Sequence, residues 1–134
     1  MAARGIRNNN PLNIERGQPW QGLRDEQTDA RFCQFVSLEY GFRAAFRILQ
    51  TYFKKRPAVN TARSIVTRWA PPGENNTDAY VRFICNRAQL EPDAPLKYQD
   101  KNRMCRLVWA MAEYECGQQF SFGRIENAYA MASR

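Results

Sequence analysis

Apolar residues recur with a helical period over most of this chain, and show no clear period before residue 30. From Ser37 onward, Phe42, Ala45, Phe46, Leu49 and Phe53 fall at i, i+3, i+4, i+7 and i+11, while Arg43, Arg47 and Lys54 point elsewhere. The spacing predicts an amphipathic helix over about 38–55, capped by Ser37 and closed ahead of Pro57. A short helix follows, with Asn60 or Thr61 as its cap and Ile65, Val66 and Trp69 inward, stopped by Pro71-Pro72. The next starts near Thr77, turns Tyr80, Val81, Phe83 and Ile84 inward, and runs to about Ala88. Asp100 caps another, whose buried stripe is Met104, Leu107, Val108 and Met111 and whose C-terminus falls at Gly117. The last begins near Ser121, with Ile125, Ala128, Tyr129 and Ala132 as its inner face.

Residues 1–29 are rich in Asn, Gly, Pro and charge, and read as a loop with a short strand at most. The brief apolar run from Arg31 to Val36 suits a strand pairing near Ile14 or Leu23. The expectation is a mainly α fold, α+β at most. It has about five helices around one core, a minor β element near the N-terminus, and a single domain over 1–134.

Composition narrows the chemistry. At 134 residues and 44% hydrophobic content the chain can build one packed core. Twenty Lys and Arg against thirteen Asp and Glu give a net charge of +7, which attracts polyanions of any kind. The basic face of Arg43, Arg47, Lys54, Lys55 and Arg56 reads as solvated surface, and no specific nucleic acid is expected. No stretch has the apolar length of a secretory signal or a membrane span, so the expectation is synthesis in the cytoplasm without membrane insertion. There is no histidine, and Cys33, Cys85, Cys105 and Cys116 lack metal-ligand spacing. Neither metal nor cofactor is expected, the thiols read as reduced and partly buried, and a general acid or base must be a carboxylate, lysine or tyrosine.

Two glutamates on the 101–116 helix separate by geometry. At about 100° per residue, with Met104 at zero, Leu107, Val108 and Met111 fall within about 60° of one line and Glu115 at about +20°. Glu113 falls at about 180°, on the side expected to face water. A carboxylate on a buried stripe is costly to ionise unless paired, and desolvation raises its pKa, the condition a general acid needs near neutrality. The same position also suits a glutamate at a frayed helix end, or one paired with Arg103 or Arg124.

Asn8, Asn9, Asn10 and Asn13, close to Glu15 and Trp20, offer amides and a flat indole face that suit sugar hydroxyls and amides. Taken by themselves they suit an Asn-rich turn bonded to its own backbone better. The stretch Trp69 to Tyr80 would place Glu74, Asn75, Asn76 and Tyr80 on one rim, although a capping loop also accounts for Asn76 and Thr77.

Four segments taken together carry a resemblance. They are Arg4-Gly5-Ile6-Arg7-Asn8-Asn9-Asn10-Pro11-Leu12-Asn13-Ile14, Phe32-Cys33-Gln34-Phe35 with Tyr40-Gly41-Phe42-Arg43-Ala44, Thr67 to Tyr80 with its Trp-Ala-Pro-Pro core, and Glu115-Cys116-Gly117-Gln118. In this order they resemble a family of small phage and prophage structural or lysozyme-like proteins, over nearly the whole chain. The resemblance implies a lysozyme-like domain that cleaves the glycan strands of peptidoglycan as a lytic transglycosylase or muramidase-like glycosidase.

It implies Glu115 as general acid, with Glu15, Asp29 or Glu74 as a second carboxylate where one is needed. Trp20, Asn75, Asn76, Tyr80 and the amides of Asn8, Asn9, Asn10 and Asn13 would hold sugars. In lytic transglycosylases and glucosaminidases, which are similar more distantly, a Glu-Ser-Gly helix end precedes an Asn-rich segment. Here the order is reversed, which implies a circular permutation. Such a protein would act at the cell wall or periplasm, or from within a virion, once virion or effector-delivery proteins had carried it there. The alternative is a catalytically inactive lysozyme-fold protein, a virion component or an effector, that binds another protein or a polyanion.

Overall fold

The computed structural model describes residues 3–134, so Met1 and Ala2 of the expected domain lie outside the described residues. The chain is mainly helical: α1 (Arg4–Arg7), α2 (Leu38–Phe53), α3 (Ala62–Trp69), α4 (Thr77–Ala88), α5 (Lys101–Cys116) and α6 (Phe122–Ala132). The five long helices are those the apolar spacing predicts. The sixth, α1, lies in the segment expected to be a loop. One helical turn holds too few residues to show a period, and backbone bonds from Ile6 N and Arg7 N to the Ala3 carbonyl close it instead.

The caps follow side-chain chemistry. Ser37, Asn76, Asp100 and Ser121 each accept a backbone N–H three residues on, and Thr61 with Ser64 forms a reciprocal capping box. Gly117 ends α5 at φ 75°, a left-handed conformation that costs glycine little. Helix α2 stops at Phe53, two residues short of the expected end. The N–H groups of Lys54 and Lys55 bond three residues back, which tightens the chain into a turn before Pro57 is reached.

The β element is as small as expected. Glu15 pairs with Phe32 and Leu23 with Phe35 as isolated antiparallel bridges. Bonds from Cys33 N to the Ile14 carbonyl (2.9 Å) and from Val36 N to the Gly22 carbonyl (2.8 Å) hold them.

Helix α5 is the centre of the fold. Met104, Leu107, Val108 and Met111 are fully buried, and α1, α2, α4 and α6 all pack on it, with α3 resting on α4 and α2 on α6. Phe42 meets Phe120 edge-on at 5.6 Å between centroids and Phe46 meets Tyr129 at 5.3 Å, locking α2 to the C-terminal part of the chain. No helix among the described residues is long and apolar enough to cross a membrane.

Candidate functional site

A cleft of about 1010 Å³ opens between the N-terminal loop and the α2–α3 side of the molecule. Asn13, Glu15, Trp20, Arg31 and Phe32 line one side, Tyr52, Trp69, Glu74 and Asn75 the other, and Glu115 belongs to its lining as well. The loop is held against the helices by the Trp69 indole, which donates to the Leu12 carbonyl at 3.1 Å.

Glu115 is half-buried at the last turn of α5. Its Oε1 accepts from Asn13 Nδ2 at 3.1 Å and its Oε2 from the Tyr80 hydroxyl at 2.9 Å. Burial raises its pKa above the ordinary glutamate value, and the bonds from Tyr80 and Asn13 offset part of that rise. Neither arginine considered as its partner reaches it: Arg103 pairs with Asp100 at 2.6 Å and Arg124 with Glu39 at 2.9 Å. Glu113 does not stand in water as expected. Its side chain is only 14% exposed and pairs with Arg87 on α4 at 3.0 Å, because α4 packs across that face of α5.

The asparagines divide into two roles. Asn8, buried, donates to Asp29 Oδ2 at 3.0 Å and accepts from Gln34 Nε2 at 3.0 Å. Asn9 donates to the Phe35 carbonyl at 3.1 Å. Asn10, fully buried, donates to the carbonyls of Ile14 and Cys33 and accepts the Ile14 N–H, all at 2.9 Å. These three amides are spent on the loop's own backbone and side chains and none lines the cleft, which corrects their reading as sugar ligands. Asn13 does line it, facing Glu115. Asn9 and Asn13 take left-handed backbone conformations at φ 50° and 54°, a region Asn tolerates better than most residues.

The expected rim from Glu74 to Tyr80 is also divided. Glu74 and Asn75 line the cleft, and Asn75 donates back to the Pro71 carbonyl at 3.2 Å. Asn76 instead caps α4, its Oδ1 accepting from Ala79 N at 3.1 Å. Tyr80 is buried beneath the site, stacked on Tyr114 with ring centroids 4.1 Å apart, so it reaches Glu115 rather than a ligand. Its burial, with Glu115 alongside, pushes the phenol well above its ordinary pKa and keeps it a donor.

Of the other carboxylates, Glu15 lines the cleft but pairs with Arg31 at 2.8 Å, both side chains well exposed. Asp29 does not line it. The carboxyl accepts from Arg4 (2.6 Å), Asn8 and the backbone N–H groups of Arg31 and Phe32, and the Arg4 guanidinium above all holds it far below the usual carboxylate range.

Trp20 lines the cleft with its indole N–H buried and unpartnered. The sequence reading passed over Tyr52, Trp69 and Phe32 as cleft residues. Trp69 and Tyr52 meet edge-on at 6.2 Å; Trp69 lies on the inward stripe of α3 and Tyr52 beside that of α2, where a helix wheel does not separate core from wall.

The four cysteines are free thiols. Burial pushes Cys105 up to about 12 and Cys116, beside Glu115, up to about 11, so both stay protonated at neutral pH. Among the described residues no cluster of three or more Cys, Asp and Glu side chains is placed to hold a metal ion.

No family model matches the chain. Along 133 residues it is 42% identical to Protein P5 of Pseudoalteromonas phage PM2, an alignment covering 96% of this chain and 81% of that protein. Agreement of that extent leaves no long segment of the described fold outside the match, and the chain belongs to the family of this phage protein.

Proposed function

We propose that this protein cleaves the glycan strands of peptidoglycan, with Glu115 as the general acid. One observation carries the reading: a half-buried carboxyl in the wall of a large open cleft, held by two neutral donors and raised in pKa by burial. An acid so placed keeps its proton closer to neutrality than a solvated glutamate, and delivers it to an oxygen bound in the cleft. Aromatic side chains on both walls offer flat faces for sugar rings.

Protonation of the glycosidic oxygen breaks its bond to the anomeric carbon as positive charge builds on that ring. Of the carboxylates in the cleft, Glu15 is neutralised by Arg31 and Glu74 is exposed on the rim. The arrangement therefore favours a transglycosylase. The sugar's own hydroxyl attacks the anomeric carbon, closes a second ring and returns its proton to the Glu115 carboxylate. The lysozyme-like, permuted arrangement is part of this reading. Its support is the contact of Asn13 with Glu115, which joins the N-terminal Asn-rich segment to the C-terminal glutamate. Such a protein acts on the cell wall after delivery by the virion or by an export system.

The test is digestion of purified peptidoglycan sacculi and mass analysis of the released fragments. The expected products are ring-closed ends, one water lighter than those of hydrolysis, and Glu115→Gln lowers their release by about 10²- to 10⁴-fold. Cleavage that survives the substitution removes Glu115 from the mechanism. A wild-type protein that releases nothing while binding sacculi or another virion protein supports the inactive, structural alternative.

A further inference from the structure

The carboxamide of Asn13 is used on one side only. Its Nδ2 donates to Glu115 Oε1, whereas its Oδ1 is buried and accepts no hydrogen bond. An unpaired buried acceptor is costly, so the opposite orientation must cost more. Turned over, the amide would set its oxygen against the glutamate oxygen, two acceptors face to face. Whenever the carboxyl is ionised it thus fixes which way Asn13 stands, and Asn13 in turn holds the carboxyl.

A second observation shows how the space for this is made. Gly5, buried in α1, stands where a Cβ would lie 3.2 Å from Asn13 Oδ1, 3.1 Å from Cys116 Sγ and 2.9 Å from the Asn10 carbonyl oxygen. The missing side chain leaves a notch between α1 and the end of α5 into which the idle oxygen fits. The loop around it is fixed, with Asn13 N bonded to the Asn10 carbonyl at 3.0 Å and Asn10 bonded on three sides.

We infer that Asn13 is a positioning residue for the Glu115 carboxyl rather than a ligand for sugar, and that the side-chain-free notch at Gly5 makes room for its amide. The catalytic meaning of this role rests on Glu115 being the acid, as proposed above, but the pairing itself does not. Other groups facing Glu115 are the Tyr80 hydroxyl from α4, with Tyr114 stacked behind it, and the Cys116 thiol next in α5. The same cleft also holds the Glu15–Arg31 pair and Glu74. None of these supplies the bond to Oε1.

The experiment follows the ¹³C resonance of the Glu115 carboxyl against pH in the full chain, for wild type, Asn13→Gly, Asn13→Asp and Gly5→Ala. Glycine keeps the left-handed backbone at position 13 without strain and removes the side chain with its amide. Loss of a donor to the charged form raises the Glu115 titration midpoint in Asn13→Gly. A second carboxylate at the same place raises it further in Asn13→Asp. Gly5→Ala moves it in the same direction by crowding the amide. If that variant fails to fold by thermal melting, the Asn13→Gly titration decides alone.

On sacculi, Asn13→Gly lowers kcat roughly 10- to 100-fold, leaves KM unchanged and moves the alkaline limb of the pH profile upward. A midpoint that stays at the wild-type value in Asn13→Gly overturns the inference, and a raised KM alongside it shows Asn13 to be a sugar ligand instead. If wild type cleaves no glycan, the functional reading fails, and the Glu115 titration still tests this one.

Discussion

Asp29 sits in a ring of donors while Glu115 sits in a cleft wall with two, and the same fold moves their acidities in opposite directions. Glu115 binds its proton more tightly in the folded chain than in the unfolded one. Stability is therefore lost as pH rises from the ordinary glutamate range through its raised value, and the whole penalty stands above that. Glutamine has no charge to desolvate and can still accept from Tyr80. Glu115→Gln is accordingly expected to melt at a higher temperature than wild type at about pH 8, with the difference closing at about pH 4. Equal melting at both pH values would show that the glutamate is not strained by its site. At this scale the sequence was partly legible. The helix angle put Glu115 on the buried line, but it could not show that α4 packs over Glu113, because the angle of one helix says nothing of its neighbours. The asparagines stayed ambiguous for a related reason: composition names their donors and acceptors but not whether backbone or cleft receives them.

Among the elements, α2 comes up directly against the Asn-rich loop at Gly41. A Cβ on Gly41 would overlap the Asn9 carbonyl oxygen, a backbone atom that cannot swing aside. Gly41→Ala is expected to cost about 1–3 kcal/mol in denaturant titration, since α2 and the loop must separate to admit it. A loss near zero would mean that the loop floats rather than docks. The long helices were legible because each carries its own cap and apolar period, as Ser37 with Phe42, Phe46 and Leu49 shows for α2. Helix α1 was not, since four residues show no period and its reason for existing is tertiary. It fills the space beside Cys116, and Gly5 is there to fit rather than to form helix.

For the whole molecule, stability against pH combines these opposed carboxylates. Asp29, Glu39, Asp93 and Asp100 are all held below their ordinary range, by Arg4, Arg124, Arg63 and, for Asp100, chiefly the backbone N–H of Arg103. Their contribution is complete above the ordinary carboxylate range and is lost as pH falls through their lowered values. Asp29 is the most shifted of them, so Asp29→Asn is expected to flatten the acid limb of a melting-temperature profile. An unchanged acid limb would assign acid unfolding to other groups. The mainly α class and the small β pairing were legible in the chain, while the cleft was not, because its walls come from segments that meet only in the fold.

The bond from Asn13 to Glu115 spans 102 positions of the chain. During synthesis the first partner emerges early and waits through the making of three helices, and most of a fourth, for the second. A nascent chain therefore cannot form this contact until α5 has left the ribosome, and fragments ending before it lack Glu115. Assembly of the Asn13–Glu115 contact is thus a late event in the making of the chain, since Glu115 is among the last parts to arrive.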